Sequence, residues 1–442
     1  MKNIDAAVEK YRDLILEAER YIWNNPETGY KEIKTTKYLA EKFTELGYTL
    51  TYPEGITGFI TRIDTGREGP ELLILGELDS IICPGHPECN KETGAVHSCG
   101  HNVQCATLLG IAAALTDKKL LEGLSGAIRL CAVPAEELLE IEYRSKLKEE
   151  GKIKYLGGKS EFLYRGLFDG VDIAFMVHAS KAYNVREGSV GCIAKKVIYK
   201  GKASHAGGAP QNGINALYAA SCGLNAVNAI RETFVEKDLI RVHPIITNGG
   251  VMVNAIPGEV TLESYVRGAT FEAIKAANLK VNRALIGSAL SLGCNIEIID
   301  TPGYSPLVND KNMMKLAIDA AAIAIPDEEF TLNHTIGTGS TDMGELCSIM
   351  PVVHPHCAGA VGTGHGADYY ITDPVAACVN SAKWQLMMLR LLLSDGAAEA
   401  WRIKAEFEPA FASKEEYFKY IDAICSSGDR ITYNDDGTAT VR

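Results

Sequence analysis

The chain is poor in positive charge. Its 44 Lys and Arg are outnumbered by 56 Asp and Glu, a net charge of −12 over 442 residues, and no segment gathers the basic residues that phosphate binding needs. No nucleic-acid partner is expected. No apolar stretch is long enough and free enough of charge to read as a membrane span or a signal peptide, so no membrane partner is expected and the cytoplasm is the expected compartment. Internal repeats and low-complexity segments are absent as well. Cysteine is present, twelve times, but a disulfide framework is not. The cysteines are scattered through apolar contexts such as Leu130-Cys131-Ala132 and Ser221-Cys222-Gly223, which read as reduced core fillers. Cys83 and Cys89 bracket a loop rich in Pro, Gly and His, yet no second pair follows at zinc-finger spacing, and no structural zinc is assigned there.

What remains is an ordinary globular composition, 46% hydrophobic and 23% charged, in a chain too long for one comfortable core. Two domains are therefore expected. Apolar residues recur at helical spacing over 6–24 and 31–46, with Gly47 as terminator. The pattern then changes to short, nearly continuous apolar runs at 71–79, 126–133 and 171–177, the mark of strands buried on both faces, with helices such as 107–115 between them. That alternation predicts an α/β fold with a mainly parallel sheet and helices on both faces. From 192–200 (strand) through 212–229 (helix), 261–267 (strand) and 273–291 (helix) the order suggests a ferredoxin-like α+β insert. The expected boundaries are 1–187, an insert at 188–302, and a return of the first domain at 303–442, whose last residues read as a turn near a loose tail.

Ligands of such sheets gather at the carboxyl ends of the strands. Asp79, Glu136, Glu137 and His178 all fall there, and His97-Ser98-Cys99-Gly100-His101 turns into an apolar helix beside them. Cys99 and His101 are too close to share a helix face, but on a tight turn, which Gly100 permits, both side chains can converge on one ion. On its own the tripeptide reads as a buried thiol beside a helix-capping imidazole. Glu136-Glu137 follows a proline at a strand end, where adjacent carboxylates repel unless a cation or a raised pKa relieves them. Alone it also reads as an acidic helix start. His178 ends an apolar strand, where an unpaired imidazole is costly, and His365 is the one bulky group of Gly362-Thr363-Gly364-His365-Gly366. In the insert, His205, Asn254 and Arg267 supply donors suited to an oxyanion or a carboxylate.

In order, His97-Ser98-Cys99-Gly100-His101-Asn102, Val133-Pro134-Ala135-Glu136-Glu137, Val177-His178-Ala179, Gly201-Lys202-Ala203-Ser204-His205-Ala206, Asn254-Ala255-Ile256-Pro257-Gly258-Glu259, Gly339-Ser340-Thr341-Asp342-Met343-Gly344 and Gly362-Thr363-Gly364-His365 resemble the aminoacylase, carboxypeptidase G and acetylornithine deacetylase metallohydrolases. The resemblance is strongest to the branch of aminobenzoyl-glutamate hydrolase, amino-acid-conjugate amidohydrolases and related dipeptidases. It runs from about residue 10 to 395. It implies that Cys99, His101, Glu137, His178 and His365 hold two divalent ions, of zinc, manganese, cobalt or nickel. Glu136 is then the general base, and His205, Asn254 and Arg267 bind the substrate carboxylate or the oxyanion, with His205 reaching across a dimer interface. The insert becomes a dimerisation domain, the assembly a homodimer or a higher homo-oligomer. The implied reaction is hydrolysis of an N-acyl amino acid, an aminobenzoyl-glutamate-like conjugate or a dipeptide bearing a carboxylate. A dipeptidase or aminopeptidase of the same family, or a non-catalytic metal-binding homologue, are the alternatives. Three departures weaken substrate assignment by analogy: Asn102 and Gln104 after the Cys-Gly-His, an insertion around His86-Pro87-Glu88-Cys89, and a long charged segment at 140–159.

Overall fold

The computed structural model describes residues 2–442. The chain divides into two compact units, one of residues 2–188, 308–335 and 341–414, the other of 189–307, 336–340 and 415–442.

The larger unit is built on a five-stranded sheet in the order Phe59–Asp64, Ala127–Val133, Glu71–Glu77, Ile173–Phe175, Val352–Val353. Only the edge strand Phe59–Asp64 is antiparallel, and it alternates buried and exposed residues towards its end. The other pairings are parallel. Glu71–Glu77 lies between two parallel neighbours, and every residue after its first is buried, as its unbroken apolar run requires. Helix His101–Ala114 is buried along its whole length, with its apolar residues spread round the axis rather than gathered on one face and the polar ones of its first turns buried as well. The first expected helix, 6–24, is in fact two, Lys2–Glu9 and Arg12–Trp23. Tyr11 leaves helical geometry between them, and its hydroxyl meets Thr116 Oγ1 at 3.2 Å.

The smaller unit carries an antiparallel sheet in the order Arg241–Val242, Glu259–Gly268, Gly191–Lys200, Asn295–Pro302, with Ile245–Asn248 also paired to Glu259–Gly268. Helices Ala216–Ala229 and Phe271–Ser291 pack with it around Val197, Tyr199, Leu262 and Leu285. The last 28 residues group with this unit, whereas the sequence reading runs the first domain on to 442. Ser426 and Asp429 bridge to Asp300 and Glu297 on the outer strand, and Ile431 enters the core. The polar texture of the segment hides this, because only a few of its residues are buried. The tail turn is a hairpin, Ile431–Tyr433 with Ala439–Val441. Among the described residues no helix is long and apolar enough to cross a membrane.

Candidate metal centre

Gly100 makes the corner. It sits at φ 92° before helix His101–Ala114, and a Cβ there would lie 2.5 Å from the Tyr369 hydroxyl and 2.7 Å from Ala179 Cβ. Glycine alone meets both demands, the left-handed backbone and the close approach. The corner sets Cys99 and His101 side by side. Cys99 Sγ lies 3.5 Å from His178 Nε2, and Cys99, His101 and His178 have ligand atoms within 4.8 Å of one another. So do Cys99, Glu137 and His365, and so do Glu77, His101 and Glu136. The larger unit thus brings together all six of the residues singled out in it, with Cys99 common to the first two groups.

The imidazoles are oriented from behind. Asp79 faces His101 Nδ1 with its carbonyl at 2.9 Å and Oδ1 at 3.1 Å, while Ala179 O accepts from His178 Nδ1 at 2.8 Å, so each ring turns Nε2 towards the cluster. Asp79 Oδ2 also accepts from the Glu137 amide at 2.9 Å. His365, at φ 64°, donates its amide to Ser98 O at 2.8 Å, and its Nε2 lies 3.0 Å from Glu137 Oε1. Asp79 was visible as a strand-end acid but received no role; its work is to aim two neighbours.

Charge is concentrated here. Burial pushes the Cys99 thiol up, but the His101 and His178 imidazoles more than reverse this and bring it down to about 6. The close approach of Cys99 and Glu137 raises His365 to about 10. Glu137 is lowered against the cost of its burial, chiefly by His365. Burial carries Glu136 the other way, well above the carboxylate range, and the charges of Glu77, Glu137 and Asp342 add to it. The two adjacent glutamates are therefore driven apart, one towards the anion and one towards the acid, which is the division a ligand and a proton carrier need.

Further buried residues escaped the sequence reading. Lys159 Nζ bonds both Glu77 Oε1 and Asp342 Oδ1, all buried, and Gln104 Nε2 donates to Glu77 Oε2 at 2.8 Å. Burial disfavours the Glu77 carboxylate, yet Lys159 and then His101 hold it below its ordinary range. Gln104, a departure from the commoner family pattern, thus has a partner of its own. His354 and His356 also flank His178, with ring centroids 5.6 and 5.8 Å away; burial drives His354 down to about 3 and holds His356 well below the ordinary imidazole range too.

The smaller unit holds the other three. Strand pairs Ser204↔Ile256 and His205↔Ala255 join two short segments, and Ala206 N donates to Asn254 O at 2.9 Å, so His205 and Asn254 are neighbours. The amides of Gly207 and Gly208 donate to His205 Nδ1 at 3.2 and 2.8 Å, which leaves the proton on Nε2 of an exposed ring. Arg267 lies over the Tyr265 ring and donates to Ser340 Oγ at 2.9 Å.

The donor set suits divalent metal. His101 Nε2 and Glu137 Oε1 are buried without a well-formed hydrogen bond, although Glu77 Oε2 and His365 Nε2 stand only 3.1 and 3.0 Å away. Lone pairs converging in this way call for a cation, and one thiolate with imidazoles and a carboxylate fits zinc and its transition-metal neighbours.

Comparison with known proteins agrees. Residues 74–390 match the model of peptidase family M20/M25/M40. The chain is 28% identical over 374 residues to Xaa-Arg dipeptidase of Mus musculus, covering 80% of this chain and 78% of that protein. To the N-acetylcysteine deacetylase of Bacillus subtilis (strain 168) it is 26% identical over 333 residues, 72% of this chain and 81% of that one. In fold it is similar to the YXEP protein of Bacillus subtilis, a dinuclear metal-binding peptidase from the M20 family, with a TM-score of 0.68 at 21% identity, covering 87% of this chain and 99% of that one. The chain therefore belongs to peptidase family M20/M25/M40 and is a metal-dependent hydrolase of amide and peptide bonds.

Proposed function

We propose that the substrate is an N-acyl amino acid, an aminobenzoyl-glutamate-like conjugate or a dipeptide with a carboxylate beside the scissile amide, and that two divalent ions serve the reaction. The observation that carries this reading is one thiolate common to two ligand groups, with a second buried glutamate, Glu136, next to them. Cys99, His101 and His178 would hold one ion, and Cys99, Glu137 and His365 the other. Divalent metal at such a site supplies Lewis acidity, polarising a carbonyl and lowering the pKa of water. Glu136 takes the proton of the attacking water and returns it to the leaving nitrogen. His205 offers Nε2–H to the oxyanion, and Asn254 and Arg267 receive the substrate carboxylate, for which a guanidinium fork is well shaped.

The smaller unit is read as the dimerisation domain. In support, strand Ile245–Asn248 and the loop after it expose Ile245 at 61%, Val251 at 88% and Val253 at 102%, an apolar run immediately before Asn254. A second copy of the chain covers it in this reading, and Val251→Glu would then give monomers by light scattering.

The deciding assay is a panel of N-acyl amino acids, dipeptides and aminobenzoyl-glutamate with manganese, cobalt or zinc added, run on wild type and Glu136→Gln. Loss of the base lowers kcat by roughly 10²–10⁴-fold with metal content unchanged. Equal turnover in both proteins would remove Glu136 from the mechanism.

A further inference from the structure

The segment 140–159 begins two residues after Leu138 and folds into helix Ile141–Glu149, whose charged sequence suggests a solvated surface helix. One of its cations is not solvated. Arg144 is 1% exposed, at the edge of an apolar cluster of Tyr30, Ala135, Leu147 and Ile153, with the Tyr30 ring 5.6 Å from its guanidinium. Among the described residues its hydrogen bonds go to main-chain carbonyls: Ala135 O at 3.4 Å, Leu156 O at 2.8 Å, and Glu137 O. A buried guanidinium with no carboxylate in the bond set is costly, and its return is geometric, since a rigid fork can hold two carbonyls at a fixed spacing.

Those two carbonyls flank Glu136. The backbone from Ala135 to Glu140 is bent in a way that L residues resist, with Ala135 at φ 57° and Glu140 at φ 48°. It is pinned on every side. Ala135 N donates to Glu32 Oε1 at 2.8 Å, Gly158 N donates to Ala135 O at 3.1 Å, and the Glu140 carboxylate accepts from Thr28 and, at 2.6 Å, from Lys31. Gly29 completes the fit: a Cβ there would lie 2.2 Å from Arg144 Nη2 and 2.9 Å from Ala135 Cα.

We propose that Arg144 is a positioning residue, which fixes the peptide carrying Glu136 by bridging the carbonyls of Ala135 and Glu137, so that helix Ile141–Glu149 is a working part of the catalytic apparatus. The inference rests on Glu136 being the general base. Its test needs two readouts, one of them independent of turnover. Arg144→Met, Arg144→Lys and Gly29→Ala are compared with Leu147→Ala, which removes a buried side chain from the same helix but none of the hydrogen bonds that hold the turn.

In metal-loaded enzyme the first three lower kcat roughly 10–100-fold, the cost typical of a lost supporting partner, with KM and metal stoichiometry little changed. Lysine does not rescue, because an ammonium cannot reproduce the fork. Leu147→Ala retains wild-type kcat. In protein without added metal or substrate, hydrogen exchange of the peptide 134–139 quickens at least tenfold in Arg144→Met but not in Leu147→Ala, whose faster exchange is confined to 141–149. Wild-type kcat in Arg144→Met, or an equal loss in Leu147→Ala, would overturn the proposal. If wild type turns over nothing in the panel, the proposed function fails first; exchange then still decides, and unchanged protection at 134–139 in Arg144→Met sinks the positioning role by itself.

Discussion

Two loops of the larger unit are rich in cysteine and histidine, and only one of them converges on a metal site. In the loop 83–89, His86 Nε2 bonds Tyr369 O at 2.9 Å, its Nδ1 accepts from Glu88 N at 3.1 Å, and Cys89 Sγ donates to Pro84 O at 3.5 Å. Every one of those polar atoms is already paired with the main chain. At the Gly100 corner the same residue types turn their lone pairs towards one another, and the buried His101 Nε2 is left without a well-formed bond. Composition does not separate the two loops. What separates them is whether the backbone has already satisfied the donors, which decides whether a cation has anything to bind.

The widest gap between the loops should appear in paired serine variants. Cys99→Ser is expected to lose bound metal and to lower kcat/KM by about two orders of magnitude or more, beyond the 10–100-fold of a supporting residue, because a ligand itself is gone. Cys89→Ser should leave both unchanged. Elemental analysis beside kinetics reads the contrast, and metal loss in Cys89→Ser would erase it. Next in size is Asp79→Asn, which keeps the shape but weakens the orientation of His101; a 10–100-fold drop in metal affinity or activity is expected by competition with a chelator. His86→Ala sharpens the other side. It should cost about 1–3 kcal/mol of stability in urea unfolding, by leaving Tyr369 O and Glu88 N unpaired, without changing kcat.

A further effect is one of pH. Burial, with the Asp79 charge adding to it, raises Glu32 from its ordinary 4.5 to about 8. Between those values the folded chain holds a proton that the unfolded chain has released. The stability from Glu32 is therefore complete below pH 4.5 and lost as pH rises towards 8. In chelator-treated protein, Glu32→Gln should flatten the decline in urea midpoint between pH 5 and 8. A slope identical to wild type would refute the assignment.

How much of this was legible in the chain depended on distance along it. The Cys99–His101 corner, the Glu136-Glu137 pair and the sheet that carries them are written in short contiguous signals: a strand run, a proline, a glycine before a helix. Lys159 was not legible. Its partners Glu77 and Asp342 lie 82 and 183 residues away, and nothing local distinguishes it from the surface lysines around it. Arg144 misled for a different reason: its partners lie only 7 to 12 residues away, but a helix reading Ile-Glu-Tyr-Arg-Ser-Lys-Leu-Lys-Glu has the face of a solvated one, and main-chain carbonyls, which no side-chain pattern announces, are what make its burial tolerable. The C-terminal segment went to the wrong unit because its few buried residues, Tyr417, Phe418, Ile421 and Ile431, are thinly spread through polar sequence.

The sulfur common to two ligand groups has a consequence for how the enzyme ages. In the proposed two-ion arrangement, oxidation of an imidazole or loss of one carboxylate would strip one ion of a partner, whereas peroxide acting on Cys99 would remove a ligand from both positions in a single event, and sulfinic acid is not returned to thiolate by ordinary reductants. Exposure before loading should therefore inactivate the protein in one kinetic phase, and metal added beforehand should shield it.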